Sequence, residues 1–454
     1  MRMCVIKMNR KDVFGFIMVA FNSLLLFVVS NFYIFDKVYS FKIPIVMIFG
    51  VIIILMFFPS LLTKKLYSSN LIKIRNGYRL LIMFLINVVF NIVFYLFSYY
   101  KYDINMKILI INLLILVFLL GSVFFNGMIR VYLFSKQLGI RYRFIGLILG
   151  MIPIFNLIML IKMIKICMDE VNFENSKIIM NLQRKDKELC KTKYPLLLVH
   201  GIFFRDYKLL NYWGRIPDEL IQNGATIYYG DHSSSLHVKN SAEELVQRVK
   251  QIVKETNCEK VNIIAHSKGG LDARYAIANL GLNKYVASLT MINTPNHGCV
   301  FADYLLNKMP KSFVDKVADG YNFSFKKLGD SNPDFIAGVT DLTSSVVGVL
   351  NKEMPNDNDV YYQTFGSVLK KAVGGRFPLN LTNNYVKLFD GKNDGLVGID
   401  SFLLKDVDFH LIETPYERGI SHGDMIDLNH ENIKGFDVRE FYVKVVNDLK
   451  ERGF

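Results

Sequence analysis

Apolar and polar positions divide this chain into two halves. In the first half, apolar residues come in runs at 13–34, 43–62, 80–99 and 107–126. Apart from Lys107 at the rim of the last run, none of them holds a charged side chain. A membrane-spanning helix takes about 20 such residues, so four spans are expected. A fifth run, Phe144 to Ile161, contains Pro153 and Asn156 and stops at Lys162. As a helix it reaches roughly 27 Å, which leaves a span and a re-entrant or interfacial segment both open.

Beyond Lys162 the pattern changes. Residues 162–193 carry Asp169, Glu170, Glu174, Lys177 and a charged cluster from Arg184 to Glu188, and read as a polar helix and solvated spacer. Then short apolar runs alternate with helical spacing. Strands are predicted at Tyr194–His200, Ala225–Tyr229, Val261–His266 and Val286–Ile292, with helices near Leu209–Gln222, Ala242–Glu255 and Leu271–Ala278. Wholly apolar strands separated by helices imply a helix-covered, mostly parallel sheet. Residues 299–356 break this rhythm and predict a helical insertion, a cap or lid over the sheet. Strands are expected again at Val360–Phe365 and Tyr385–Phe389, and a closing helix at Asp437–Leu449. The predicted organisation is a membrane region of four or five helices at 1–168, a charged linker at 169–193 and an α/β unit at 194–454.

Charge adds orientation. The chain has 54 Lys and Arg against 40 Asp and Glu, a net charge of +14 that gathers beside the apolar runs. The loop at 63–79 holds Lys64, Lys65, Lys73, Arg75 and Arg79, and that at 127–143 holds Arg130, Lys136, Arg141 and Arg143. The intervening loops are poorer in cations, which puts the basic N-terminus in the cytoplasm. If the fifth run crosses, the alternation continues and the α/β unit lies outside the cytoplasm; that is the expectation. The first run is too long for a cleaved signal and reads as retained. No ionisable residue lies deep in a span to suggest transport. No basic stripe with interleaved aromatics points to nucleic acid. The five cysteines, Cys4, Cys167, Cys190, Cys258 and Cys299, form no C-x-x-C and predict neither a disulfide framework nor a zinc site.

The chemistry centres on Val261-Asn-Ile-Ile-Ala-His-Ser267-Lys-Gly-Gly270. Strand, sharp turn and helix hold a serine hydroxyl above the strand end, the G-x-S-x-G elbow with Ala265 in place of the first glycine. The alternative is a helix start with Ser267 as its N-cap. A serine nucleophile needs a base, a group to hold that base, and two N–H donors for the developing oxyanion. His200-Gly201-Ile202 ends the first strand, so the N–H groups of Ile202 and Lys268 are the expected oxyanion hole. Asp394, in a polar glycine-rich turn, is the chosen acid, with Asp390 and Asp400 as rivals; His422 is the chosen base, with His430 and His410 as rivals.

Taken together, Leu198-Val-His-Gly201, Tyr212-Trp-Gly214, Ala265-His-Ser-Lys-Gly-Gly270, Asn293-Thr-Pro-Asn-His-Gly298, Asn393-Asp-Gly-Leu-Val397 and His422 with Asp424 resemble the bacterial triacylglycerol lipases of the α/β-hydrolase superfamily. The resemblance implies an α/β-hydrolase fold, a Ser267–Asp394–His422 triad, a lid over an acyl pocket, and lipid or other esters as substrate. No organic cofactor is implied. Relatives often hold a structural calcium, for which Asp424 matches one ligand. Lys268 stands where glutamine is usual, and is expected to make the site more positive. The resemblance covers nothing before the linker. The expected protein is therefore a membrane-anchored serine esterase or lipase of a bacterial cell membrane. A lipid acyltransferase or remodelling deacylase, and a non-catalytic hydrolase-like scaffold, are the alternatives.

Overall fold

A computed structural model describes residues 10–59, 65–102, 104–150, 152, 154–202, 212–327, 333–375 and 379–454. Cys4, Pro153 and the stretches 209–211 and 328–332, on which parts of the sequence reading fall, lie outside these. Two compact units are present, Met1–Met180 and Asn181–Phe454.

The N-terminal unit is helical. Its elements are α1 (Arg10–Ser30), α2 (Phe32–Lys37), α3 (Ile45–Phe57), α4 (Ser69–Tyr102), α5 (Met106–Phe134), α6 (Gly139–Leu149) and α7 (Phe155–Arg184), the last running into the second unit. By length and composition, α4 and α5 are long and apolar enough to cross a membrane. The apolar parts of α1 and α3 are shorter, Ile17–Ser30 and Ile45–Phe57. Inside this apolar bundle sits a ladder of amides. Asn31 donates to Asn91 Oδ1 (2.6 Å), and Asn112 donates to Asn31 Oδ1 (2.9 Å) and to the Tyr95 hydroxyl (2.6 Å). These bonds tie the start of α2 to α4 and α5. The fifth apolar run is built from parts of two helices rather than one. Helix α6 is capped by Gly150, and Ile154 sits at φ 71°, so the backbone breaks before α7 begins.

The second unit builds one sheet. In order come β1 (Leu196–Val199), α8 (Ile216–Gln222), β2 (Ile227–Tyr229), α9 (Val238–Thr256), β3 (Val261–His266), α10 (Lys268–Asn279) and β4 (Val286–Ile292). Four helices follow: α11 (Val300–Lys308), α12 (Lys311–Lys327), α13 (Phe335–Thr340) and α14 (Ser344–Glu353). Then come β5 (Tyr361–Ser367), α15 (Leu379–Asp390), β6 (Asp408–Ile412) and α16 (Val438–Glu451). The sheet runs β2-β1-β3-β4-β5-β6, and every pair is parallel.

Period-two alternation distributes the core. Leu196 and Leu198 pack with Ile264 and Ile292 under Trp213, α8 and α16, whereas Leu197 and Val199 pack with Ile263 and Met291 under α9 and α10. Both faces are covered, which is why these strands read as continuous apolar runs. The insertion is helical as expected. Two differences concern the last strands. Residues 385–389 are helical, within α15, where Val386 faces inward and Tyr385, Leu388 and Phe389 stay exposed. The edge strand is instead β6, whose half-exposed Asp408-Phe-His-Leu-Ile412 lacks the apolar run of a central strand. The polar helix expected beyond Lys162 is the later part of α7, which ends at Arg184. Its last turn is fastened, with Arg184 bridging Glu219 (3.3 Å) and Glu440 (2.8 Å).

Candidate active site

The elbow forms where β3 meets α10. Ser267 takes φ 54° and ψ −132°, a conformation that costs a non-glycine residue on the order of 1–3 kcal/mol. Close packing holds it there. A Cβ on Gly269 would come within 2.5 Å of the His200 carbonyl oxygen, so only glycine lets α10 lie this near the end of β1. A Cβ on Gly201 would come 2.8 Å from the Ser267 Cβ, which brings the turn after β1 directly against the serine. Serine strain at a strand end in a parallel sheet is the arrangement by which a hydroxyl is presented to a substrate.

Asp394 and His422 come together at the same sheet edge. His422 Nδ1 lies 2.6 Å from Asp394 Oδ2, and the His422 backbone N–H donates to the Asp394 carbonyl at 2.9 Å. Asp394 is fully buried and its carboxylate is saturated. Oδ1 accepts from the N–H groups of Leu396 and Val397, both at 2.9 Å, and Oδ2 also accepts from Asn293 Nδ2 at 2.5 Å. The imidazole is thus held at Nδ1, which leaves Nε2 for a proton from elsewhere. The His422 ring centroid lies 4.5 Å from that of His266, the neighbour of Ser267. Burial pushes His266 well below its usual value, so it stays neutral beside the base, and its Nδ1 lies 2.6 Å from the Tyr212 hydroxyl.

The rivals are elsewhere. Asp390 ends α15, Asp400 is exposed on a short 3-10 turn, and His410 lies on β6 stacked against Phe365. His430 follows the His422 loop at φ 53°. That loop is fastened at two points. Asp427 accepts from Arg215 Nε (2.7 Å) and its backbone N–H (2.9 Å), and Asp424 pairs with Arg418 (2.7 Å).

The second pair bears on calcium. Both Asp424 oxygens face the Arg418 guanidinium, at 2.7 and 3.1 Å, and Oδ2 also accepts from Ser421 N–H. Calcium asks for six to eight oxygens. Here a guanidinium takes up the carboxylate instead, so Asp424 and its neighbours do not fit the ion.

The expectation about Lys268 is also corrected. Its backbone N–H opens α10 and has no intrahelical partner. Its side chain turns inward, fully buried, with Nζ 2.7 Å from Asp272 Oδ1 one helical turn on. The charge is paired inside the protein rather than presented at the surface. Sequence reasoning also missed Asn293 as the amide that holds Asp394. Its signal was its place directly after β4, at the same strand ends as Ser267.

Comparison with known proteins finds several relatives. A family model described as "Putative serine esterase (DUF676)" matches residues 230–318, a span that includes Ser267 but neither Asp394 nor His422. A triacylglycerol lipase of Pseudarthrobacter phenanthrenivorans is 33% identical over 177 residues, 36% of this chain and 55% of the lipase. One of Burkholderia plantarii is 33% identical over 177 residues and 49% of its length is covered, so the chain spans about half the length of these two curated relatives. A triacylglycerol lipase of Pseudomonas fragi is 27% identical over 297 residues, 58% of this chain and 98% of the relative. Among solved structures, the mature form of a Bacillus licheniformis lipase is similar with a TM-score of 0.40 and 21% identity, over 52% of this chain and 88% of that one.

Proposed function

We propose that the second unit is a serine esterase or lipase that hydrolyses carboxylic esters of lipids, carried on a membrane-embedded N-terminal unit. The observation that supports it most is the 2.6 Å bond from His422 Nδ1 to a buried, saturated Asp394 carboxylate, at the sheet edge where Ser267 occupies a strained elbow. The serine esterase model and the lipase relatives support the ester as the bond attacked.

The steps follow from the residues. Ser267 Oγ attacks the ester carbonyl carbon as its proton passes to His422 Nε2. The carbonyl oxygen becomes an oxyanion, which accepts from the N–H groups of Ile202 and Lys268. As the tetrahedral species collapses, the carbon–oxygen bond to the alcohol breaks, and His422 returns the proton to the departing alcohol. Water then attacks the acyl-enzyme, with His422 again taking the proton, and releases the acid and free Ser267. Asp394 stabilises the imidazolium formed in each half and is not itself protonated. No metal is required by any step. The helices α11–α14 serve as the lid over the acyl chain. Two long apolar helices and the basic loops support membrane insertion, and the charge alternation, continued by a crossing of residues 144–161, supports a catalytic unit outside the cytoplasm.

Turnover of a p-nitrophenyl ester by Ser267→Ala tests the reading. The loss expected is about five to six orders of magnitude with the fold intact, as for other triad nucleophiles. A variant that kept a tenth of wild-type activity would remove Ser267 from the mechanism.

A further inference from the structure

We propose that Ser234, on the turn after β2, and the buried Lys268–Asp272 pair are positioning residues that together aim the two oxyanion donors. The inference rests on the reading of Ser267 as an acyl-transfer nucleophile, and concerns groups that touch neither substrate nor nucleophile.

The first donor is the Ile202 N–H. It belongs to the same planar unit as the Gly201 carbonyl, and in a trans peptide the two point in opposite directions. Holding the carbonyl therefore sets the direction of the N–H. Gly201 O accepts from Ser234 Oγ at 2.8 Å, with His200 Nδ1 at 3.0 Å on the same oxygen. The Gly201 N–H is held too, by the Tyr212 hydroxyl at 2.9 Å. Beyond the donor, the Ile202 carbonyl accepts from the Tyr321 hydroxyl of α12, and the Ile202 side chain packs with Phe335 and Val339 of α13. Held at these points, the peptide cannot rotate its N–H without breaking several bonds.

The second donor is the Lys268 N–H. Its own side chain clips the first turn of α10, through Nζ to Asp272 at 2.7 Å and to Ser241 Oγ at 3.1 Å. Ser241 Oγ in turn donates to the Ser233 carbonyl at 2.8 Å, one residue before Ser234. A second path closes the circuit. Asp272 Oδ2 lies 3.3 Å from His232 Nε2, and the His232 ring stacks on His200 with centroids 4.6 Å apart. All of these side chains are buried. One polar network thus ties the turn that carries the first donor to the helix that carries the second.

A buried ion pair is weak evidence of stability, since apolar residues of similar volume pack as well or better. Its presence in the first turns of the helix that follows the nucleophile therefore calls for a different reason, and holding the spacing of two donors supplies one. Oxyanion stabilisation depends on donors fixed before charge develops, so play in either of them costs rate and leaves ground-state binding untouched.

The test uses the full chain in detergent, with Ser234→Ala, Ser234→Thr and the double variant Lys268→Met with Asp272→Leu. For Ser234→Ala, kcat is expected to fall by about 10- to 100-fold, less than the cost of losing a donor outright. KM and the melting temperature stay near wild type. Affinity for an alkylboronic acid, which forms a tetrahedral adduct on the serine, falls by the same factor, and Ser234→Thr restores both. The double variant shows the same pattern and serves as the independent reading if Ser234→Ala does not fold. An unchanged kcat and boronate affinity in the folded variants would overturn the network's role, as would a fall in KM, kcat and melting temperature together that threonine does not reverse. Failure of the wild-type chain to bind the boronate at all would instead defeat the esterase reading.

Discussion

Asp394 has two acidic neighbours in sequence, and what sets it apart is the set of donors it meets. Two turn N–H groups, the Asn293 amide and His422 converge on it, a convergence no spacing rule reveals because Asn293 is 101 positions away. The same holds for His422 beside His430, since it is His422 that meets the Asp394 carboxylate. For Asp394→Asn the expected loss in kcat is about 10⁴-fold, because the amide favours the wrong imidazole tautomer. His422→Ala should approach the loss of the nucleophile variant, while His430→Ala stays near wild type. Steady-state kinetics on one soluble ester compares all three, and a large loss at His430 with little at His422 would move the base. Lys268 illustrates the limit at this scale. The sequence shows a cation beside the serine, but the (i, i+4) aspartate that swallows its charge becomes visible only when both lie on the buried face of α10.

At the scale of elements, five of the six strands were legible, and the edge strand β6 was not. β1, β3 and β4 are buried on both faces, so their apolar runs are unbroken and their termini sharp. The edge strand β6 carries exposed Asp408, His410 and Leu411, and gives no such run. Tyr385-Val-Lys-Leu-Phe389 misled for the opposite reason. It has the composition of a strand, yet four of its five side chains are exposed on the outer side of α15. Composition reports the propensity of a segment, while tertiary context decides which face is used. The elbow was read correctly as strand, turn and helix because its signal is steric: the glycine after the serine is demanded by the contact with the end of β1. The break between α6 and α7 was foreshadowed by Pro153, although the choice between a kinked span and two helices depended on the backbone at Ile154.

The whole molecule joins a helical unit rich in apolar surface to an α/β unit with its own two-faced core, each with its own physical logic. The division in the pattern near Lys162 marked the change of regime, while the compact units divide at residue 180, inside α7, and Arg184 at the end of that helix is bound within the second. Placement of the α/β unit outside the cytoplasm predicts that protease added to intact cells digests residues after 170 and spares the loop at 63–79. Resistance until the membrane is broken would make it a cytoplasm-facing enzyme. The central claim is that Ser267 is an activated nucleophile, and covalent capture tests it most directly. A fluorophosphonate added to the purified full-length chain, followed by peptide mapping, should modify Ser267 alone, with labelling abolished in Ser267→Ala and sharply slowed in His422→Ala. A folded chain that takes up no label, or takes it on a different serine, would contradict the account.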